Sequence, residues 1–205
     1  RRVRFHGTFN DDMGLVCNFP QVMGLPIGEH IVETNFYKVG VLYDNILALG
    51  MKPFVEISFM PQLLAKDTTR SFVYGSVPSM PKDMGLWKKF IQEYLAYLFH
   101  RYGEDEVCTW YFEVWNEPDL SDTFFQSSQN GYFELYAATA KAIKDFCPSL
   151  RVGGPATSAS RWVDTFVEYC QANNVPLDFI SPHQYIGDPF LGVSEEAAHK
   201  TVDQR

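Results

Sequence analysis

The chain has 205 residues, 46% hydrophobic, 20% charged and 16% aromatic, with a net charge of −8. That apolar share excludes a disordered chain, and the acidic balance disfavours a nucleic-acid partner because it repels the phosphate backbone. No apolar run is long enough to cross a bilayer, and the length suits one domain, or two small ones, with a core that needs no staples.

The elements alternate along the chain. Arg2–Gly7 is short, β-branched and aromatic and predicts a strand. Glu33–Leu49 predicts a helix: Phe36, Val39, Tyr43, Ile46 and Leu47 fall at three- and four-residue steps, and Gly50 supplies the stop. Lys52–Ser58 predicts a second strand. Leu86–Tyr102 predicts a helix with Trp87, Phe90, Ile91, Tyr94, Leu95 and Leu98 on one face and Gly103 as its stop. Trp110–Asn116 is the third strand, Tyr132–Phe146 the third helix, and Arg151–Pro155 the fourth strand. Arg161–Ala172 is the fourth helix, and Leu177–Tyr185 the fifth strand.

Strict alternation of strands and helices predicts an α/β fold with a parallel sheet. Connections from helix to strand are short, whereas Thr8–Val32 and Phe59–Gly85, which lead from strand to helix, are long. Long loops therefore gather at the carboxyl ends of the strands, where α/β barrels and doubly wound sheets place their sites. His6-Gly7-Thr8 opens a long loop and not a Gly-rich phosphate turn, which disfavours a nucleotide-binding sheet. Cys17, Cys108, Cys147 and Cys170 are widely spaced in sequence and read as free thiols, without a zinc pattern. Their usage leans towards a reducing compartment such as the cytoplasm.

The most specific stretch is Trp110–Pro118, WYFEVWNEP. It sets Asn116 and Glu117 at the carboxyl end of a strand. A carboxylic acid flanked by Trp115 and Tyr111 is poorly solvated and favours its protonated form, as a general acid for a glycosidic oxygen requires. Asn116 offers a donor and an acceptor, which suits a sugar hydroxyl. Glu113 lies four residues before Glu117 in one strand, so their Cα atoms are about 13 Å apart at a rise of roughly 3.3 Å per residue. A retaining carboxylate pair needs about 5–5.5 Å. Glu113, and likewise Glu56 in KPFVEIS, is therefore expected to be structural, paired with a strand cation such as Arg4 or Arg151. Phe72 and Tyr74 in the long Phe59–Gly85 loop are the candidates for sugar stacking.

VRFHG with Asp11-Asp12 downstream, KPFVEISFMP, WYFEVWNEPD, RVGGPA and DFISPHQY occur in that order. Together they resemble glycoside hydrolase family 39, the family of β-xylosidases and α-L-iduronidases, over nearly the whole chain to about Tyr185. PFVEISFMP resembles the β-xylosidase branch. The resemblance implies a (β/α)8 barrel and a retaining double displacement that needs neither metal nor cofactor. It implies that Glu117 is the general acid/base, that Asn116 binds the sugar 2-hydroxyl, and that His6, His183 and Tyr185 face substrate, with Phe59 in the wall. The implied partners are xylo-oligosaccharides or aryl and alkyl β-xylosides; a homo-oligomer is left open.

In this clan the acid/base follows the fourth barrel strand and the nucleophile ends the seventh. Counting WYFEVWN as strand four makes the visible strands two to six. Residues 1–205 are then expected to be a partial catalytic barrel that carries the acid/base without the nucleophile and is inactive alone. Arg1–Phe5 already reads as strand and there is no initiator Met, so the native N-terminus is expected to lie upstream. Glu195 and Glu196 in the tail Leu191–Arg205 read as the start of a surface helix.

Overall fold

A computed structural model describes residues 1–18, 33–121 and 123–185. The tail with Glu195 and Glu196 lies outside the described residues. Strand β1 (Arg2–Phe5) is followed by a small antiparallel pair, β2 (Val16–Cys17) and β3 (Glu33–Thr34). Next come helix α1 (Tyr37–Ala48), β4 (Lys52–Ile57), α2 (Met84–Tyr102) and the single turn α3 (Glu104–Val107). The remainder is β5 (Tyr111–Val114), α4 (Gln129–Phe146), β6 (Arg151–Gly154), α5 (Val163–Ala172) and β7 (Phe179–Ile180). The main sheet has the order β1-β4-β5-β6-β7, and every neighbouring pair is parallel. The expected α/β fold with five parallel strands is the one observed.

The two faces of the sheet differ because side chains alternate along each strand. Val55, Ile57, Phe112, Val114 and Val152 join the apolar core with Val39, Tyr43 and Ile46 of α1, Ile91, Tyr94 and Leu98 of α2, and Leu135 and Ile143 of α4. The opposite face is polar and aromatic. Phe54 stacks on Tyr111 with ring centroids 5.7 Å apart, and Phe179 meets both rings edge-on. The Arg2 and Arg151 guanidinium groups cover the Tyr111 ring at 4.6 and 5.0 Å. One register further along lie Glu56, Glu113 and Gly153.

Several boundaries move from the sequence expectation, each for a local reason. Glu33–Thr34 pairs with Val16–Cys17 as a strand, and the Asn35 side chain accepts from the Tyr37 N–H, so α1 starts later than Glu33. α2 starts earlier because Asp83 caps it, accepting from the Leu86 N–H at 2.8 Å. Ser128 does the same for α4 through the Gly131 N–H at 3.1 Å. Trp162, with φ 63°, caps α5, which starts at Val163, two residues later than the expected Arg161. β7 is only two residues long: beyond Ile180, the His183 N–H turns to the Thr157 carbonyl instead of extending a strand.

Candidate active site

The parallel sheet brings the C-terminal ends of its strands to one side, the side on which barrel enzymes assemble their sites. The backbone there is irregular. β5 runs into Trp115 (φ 76°) and Glu117 (φ 45°), and β6 into Ala156 (φ 55°). Left-handed backbone at non-glycine residues costs free energy and persists where neighbours over-determine it, commonly at functional sites. Those neighbours are visible. The Trp115 N–H donates to the Ile57 carbonyl at 3.1 Å, and the Glu117 N–H to the Ala156 carbonyl at 2.8 Å. The Trp115 indole donates to the Phe124 carbonyl at 2.8 Å and is fully buried. WYFEVWNEP thus ceases to be a strand after Val114 and presents Asn116 and Glu117 beyond it.

Arg4 organises the floor beneath these two residues. It pairs with Glu56 at 2.6 Å and with Glu113, and its Nη2 donates to Asn116 Oδ1 at 2.9 Å. Glu56 and Glu113 are essentially buried. Burial raises the Glu113 carboxyl above its usual range, against the pull of the Arg4 charge. Both carboxylates are therefore structural, as expected. Arg4 is their cation, and Arg151 lies over Tyr111 instead. The bond from Arg4 to Oδ1 fixes the orientation of the Asn116 amide, whose NH2 is its donor end.

His6 continues the face that carries Arg4. Its Nδ1 lies 3.1 Å from the Glu56 carboxylate, and its Nε2 lies 3.2 Å from the Tyr74 hydroxyl. Towards an ionised Glu56 the Nδ1 is the donor, so the neutral ring accepts from Tyr74 through Nε2. Tyr74 stacks on Phe72 at 5.1 Å, and both rings are partly exposed. Partial burial, with the negative charges of Glu56 and Glu117, raises the Tyr74 phenol above its ordinary value. The long loop therefore folds back over the strand ends.

His183 reaches the site from the segment after β7. Its Nδ1 is 3.0 Å from Glu117 Oε1, with both side chains mostly buried. Its own backbone is held by the loop after β6, through the Thr157 carbonyl and the Ser160 N–H. Asp119 locks that loop in turn, accepting from the Ser158 N–H at 2.8 Å and the Ser158 hydroxyl at 2.6 Å.

The structure brings Asn116, Glu117, His6 and His183 to the strand ends. One expectation changes in detail. Phe59 is fully buried, with its ring edge-on to His6 at 5.3 Å and to Trp115 at 5.7 Å, so it backs His6 and does not line the open wall. Tyr185 is exposed, at the outer end of the described segment. The close neighbour of Glu117 is the His183 ring, while Tyr111 lies a layer lower between two arginines. Sequence reasoning missed Phe124, whose ring packs at 4.6 Å on Phe72 and 6.1 Å from His6. It also missed Asp119; the D of WYFEVWNEPD was its only signal. Among the described residues, the grouping of His, Cys, Asp and Glu close enough to hold a metal is Glu104, Cys108 and Cys147, which precede β5 and β6 at the other end of the sheet.

The sequence model of the family described as glycosyl hydrolases family 39 matches residues 1–201. A β-xylosidase of Caldicellulosiruptor saccharolyticus is 43% identical over 201 residues, which cover 97% of this chain and 40% of that protein. A β-xylosidase of Geobacillus stearothermophilus is 37% identical over 187 residues, covering 90% and 36%. The crystal structure of a monomeric β-xylosidase from Caulobacter crescentus superposes with a TM-score of 0.82 at 39% identity, covering 92% of this chain and 36% of that one. The chain spans about two fifths of the length of the curated relatives it matches. The five parallel strands with their helices match the α/β fold of this β-xylosidase structure, of which the chain covers 36%. A match over residues 1–201, joined to carboxylate, asparagine and histidine at the strand ends, places the chain in glycosyl hydrolase family 39.

Proposed function

We propose that this chain is the acid/base-bearing part of a retaining β-xylosidase, which removes terminal β-xylosyl residues from xylo-oligosaccharides or aryl and alkyl β-xylosides. The observation that carries the proposal is Glu117, held at the end of β5 with Oε1 against His183 Nδ1 at 3.0 Å. With Oε1 engaged, Oε2 is the oxygen that addresses the glycosidic bond. Glu117 gives its proton to the leaving oxygen while a second carboxylate, carried outside these 205 residues, attacks the anomeric carbon. Glu117 then removes a proton from water, and that water releases the sugar with net retention. Asn116, steered by Arg4, donates to the sugar 2-hydroxyl. His6 and Tyr74 flank the same space.

Identity of 37–43% to β-xylosidases supports a neutral pentose. So does the cation beneath Asn116: Arg4 is committed to Glu56 and Glu113 and is not free to meet the carboxylate of a uronic acid.

The test is hydrolysis of an aryl β-xyloside by the full-length gene product and its Glu117→Ala variant. A loss of kcat of roughly 10²–10⁴-fold is expected for a general acid/base. Unchanged turnover overturns the assignment. Binding of xylo-oligosaccharides without turnover by the unmutated protein identifies a carbohydrate-binding protein instead. The isolated 205-residue chain is expected to show no turnover, and robust hydrolysis by it refutes the placement of the nucleophile elsewhere.

A further inference from the structure

Two of the four cysteines, 39 positions apart in sequence, meet at the opposite end of the sheet from Glu117. Cys108 directly follows α3, and Cys147 caps the C-terminus of the 18-residue helix α4. Glu104 stands one helical turn before Cys108, so both project from the same side of that turn. The two sulfurs and a Glu104 carboxylate oxygen all lie within 4.8 Å of one another, and Cys147 Sγ is 3.9 Å from Glu104 Oε1. No disulfide joins the cysteines.

We propose that Glu104, Cys108 and Cys147 form a binding site for a thiophilic divalent cation of the zinc type, with water as fourth ligand. Two soft donors and one carboxylate are a set that zinc takes readily. In a tetrahedral site with Zn–S of about 2.3 Å, sulfurs stand about 3.8 Å apart and sulfur to oxygen about 3.5 Å. The observed spread needs a contraction of at most about 1 Å between the sulfurs and about 1.3 Å from sulfur to oxygen, the latter within reach of a rotation of the exposed Glu104 side chain. Binding releases the two thiol protons to solvent and leaves both sulfurs as thiolates on the metal.

The surroundings favour a cation. Cys147 sits at the negative end of the α4 dipole, and Asp105 adjoins Glu104. The nearby lysines are engaged elsewhere. Lys144 holds Asp178 at 2.7 Å and the carbonyls of Pro148 and Leu150, and Lys52 holds Glu106. The site pins the start of β5 to the start of β6, so its role is to brace the barrel base, and it is independent of the chemistry at Glu117.

The experiment is titration of the reduced full chain with Cd²⁺, followed by the ultraviolet thiolate-to-metal charge-transfer band, with Zn²⁺ as competitor. One Cd²⁺ per site, displaced by Zn²⁺, is expected. Cys108→Ser is expected to lower the affinity at least tenfold, the loss that follows removal of even a supporting partner of a metal ligand. Glu104→Gln, at an exposed position, is expected to weaken binding while keeping the band; Cys170→Ser is expected to leave both unchanged. Absence of a band, an unaltered affinity and band intensity in Cys108→Ser, or loss of the band in Cys170→Ser overturns the proposal. Should Cys108→Ser fail to fold, an unaltered affinity in Glu104→Gln overturns it as well.

Discussion

Arg4→Met is the substitution that the floor of the site makes most informative. The guanidinium is the shared partner of two carboxylates, Glu56 and Glu113, whose side chains are 0% and 2% exposed. Removing one member of a buried ion pair generally costs about 3–5 kcal/mol, because the remaining charge is left without compensation. Arg4 is itself 27% exposed, which sets the expectation at the lower end, about 3 kcal/mol near neutral pH. The loss should also depend on pH. Burial already raises the Glu113 carboxyl, and deleting the cation raises it further. The folded state of the variant then binds more protons than the unfolded state, so its stability falls as pH rises. Every further tenfold weakening of the Glu113 acidity costs about 1.4 kcal/mol once the pH is above the folded value. Urea unfolding of both proteins between about pH 5 and pH 8 should therefore show a deficit that grows with pH. Adding Glu113→Gln to Arg4→Met should recover part of it, because the orphaned charge is gone. A deficit below about 1 kcal/mol, or one that is flat across this range, would refute the account of the floor.

Other parts of the fold make sharper, smaller predictions. A Cβ on Gly153 would press on the Phe179 carbonyl and come within 2.6 Å of Phe179 Cδ2, so Gly153→Ala should cost about 1–3 kcal/mol in urea unfolding; a neutral result would mean that β6 and β7 do not approach so closely. Trp87→Phe removes the buried 2.8 Å bond to Thr139 Oγ1 and should cost about 2 kcal/mol, with Thr139→Val restoring part of the loss; no recovery would point to packing alone. The hydrogen bond from Arg101 holds the Asp44 carboxyl below its usual range, so its stabilisation is present above the ordinary carboxylate pKa and is lost as pH falls through the lower folded value. Asp44→Asn should flatten that acid limb, weakly because the pair is exposed, and an unaltered limb would assign the acid sensitivity elsewhere.

The strands and their order were legible because each strand carries its own local signal. WYFEVWN and KPFVEIS alternate a charged side chain with β-branched and aromatic ones, and each is separated by a helix with a readable stop at Gly50 or Gly103. Glu117 and Asn116 were legible because they end such a strand. What escaped depends on contacts distant in sequence. Glu33–Thr34 looks like the start of a helix and becomes a strand only through Val16–Cys17. Phe59 is expected in the substrate wall and is instead buried, with Phe124, 65 positions on, stacked against it at 6.1 Å. Cys108 and Cys147 look unrelated until α3 and α4 set their sulfurs together. The choice of Arg4 over Arg151 as the counter-ion likewise follows from the sheet register and not from charge pattern.

The central claim is that Glu117 acts as the acid that protonates the leaving oxygen, and leaving-group dependence tests it most directly. In the full-length enzyme and its Glu117→Ala variant, kcat/KM is measured for a series of aryl β-xylosides whose phenols span a wide range of acidity. The account predicts that the variant loses little on xylosides with strongly acidic phenols, which depart without a proton, and loses progressively more as the phenol becomes less acidic. An equal loss across the whole series would contradict it.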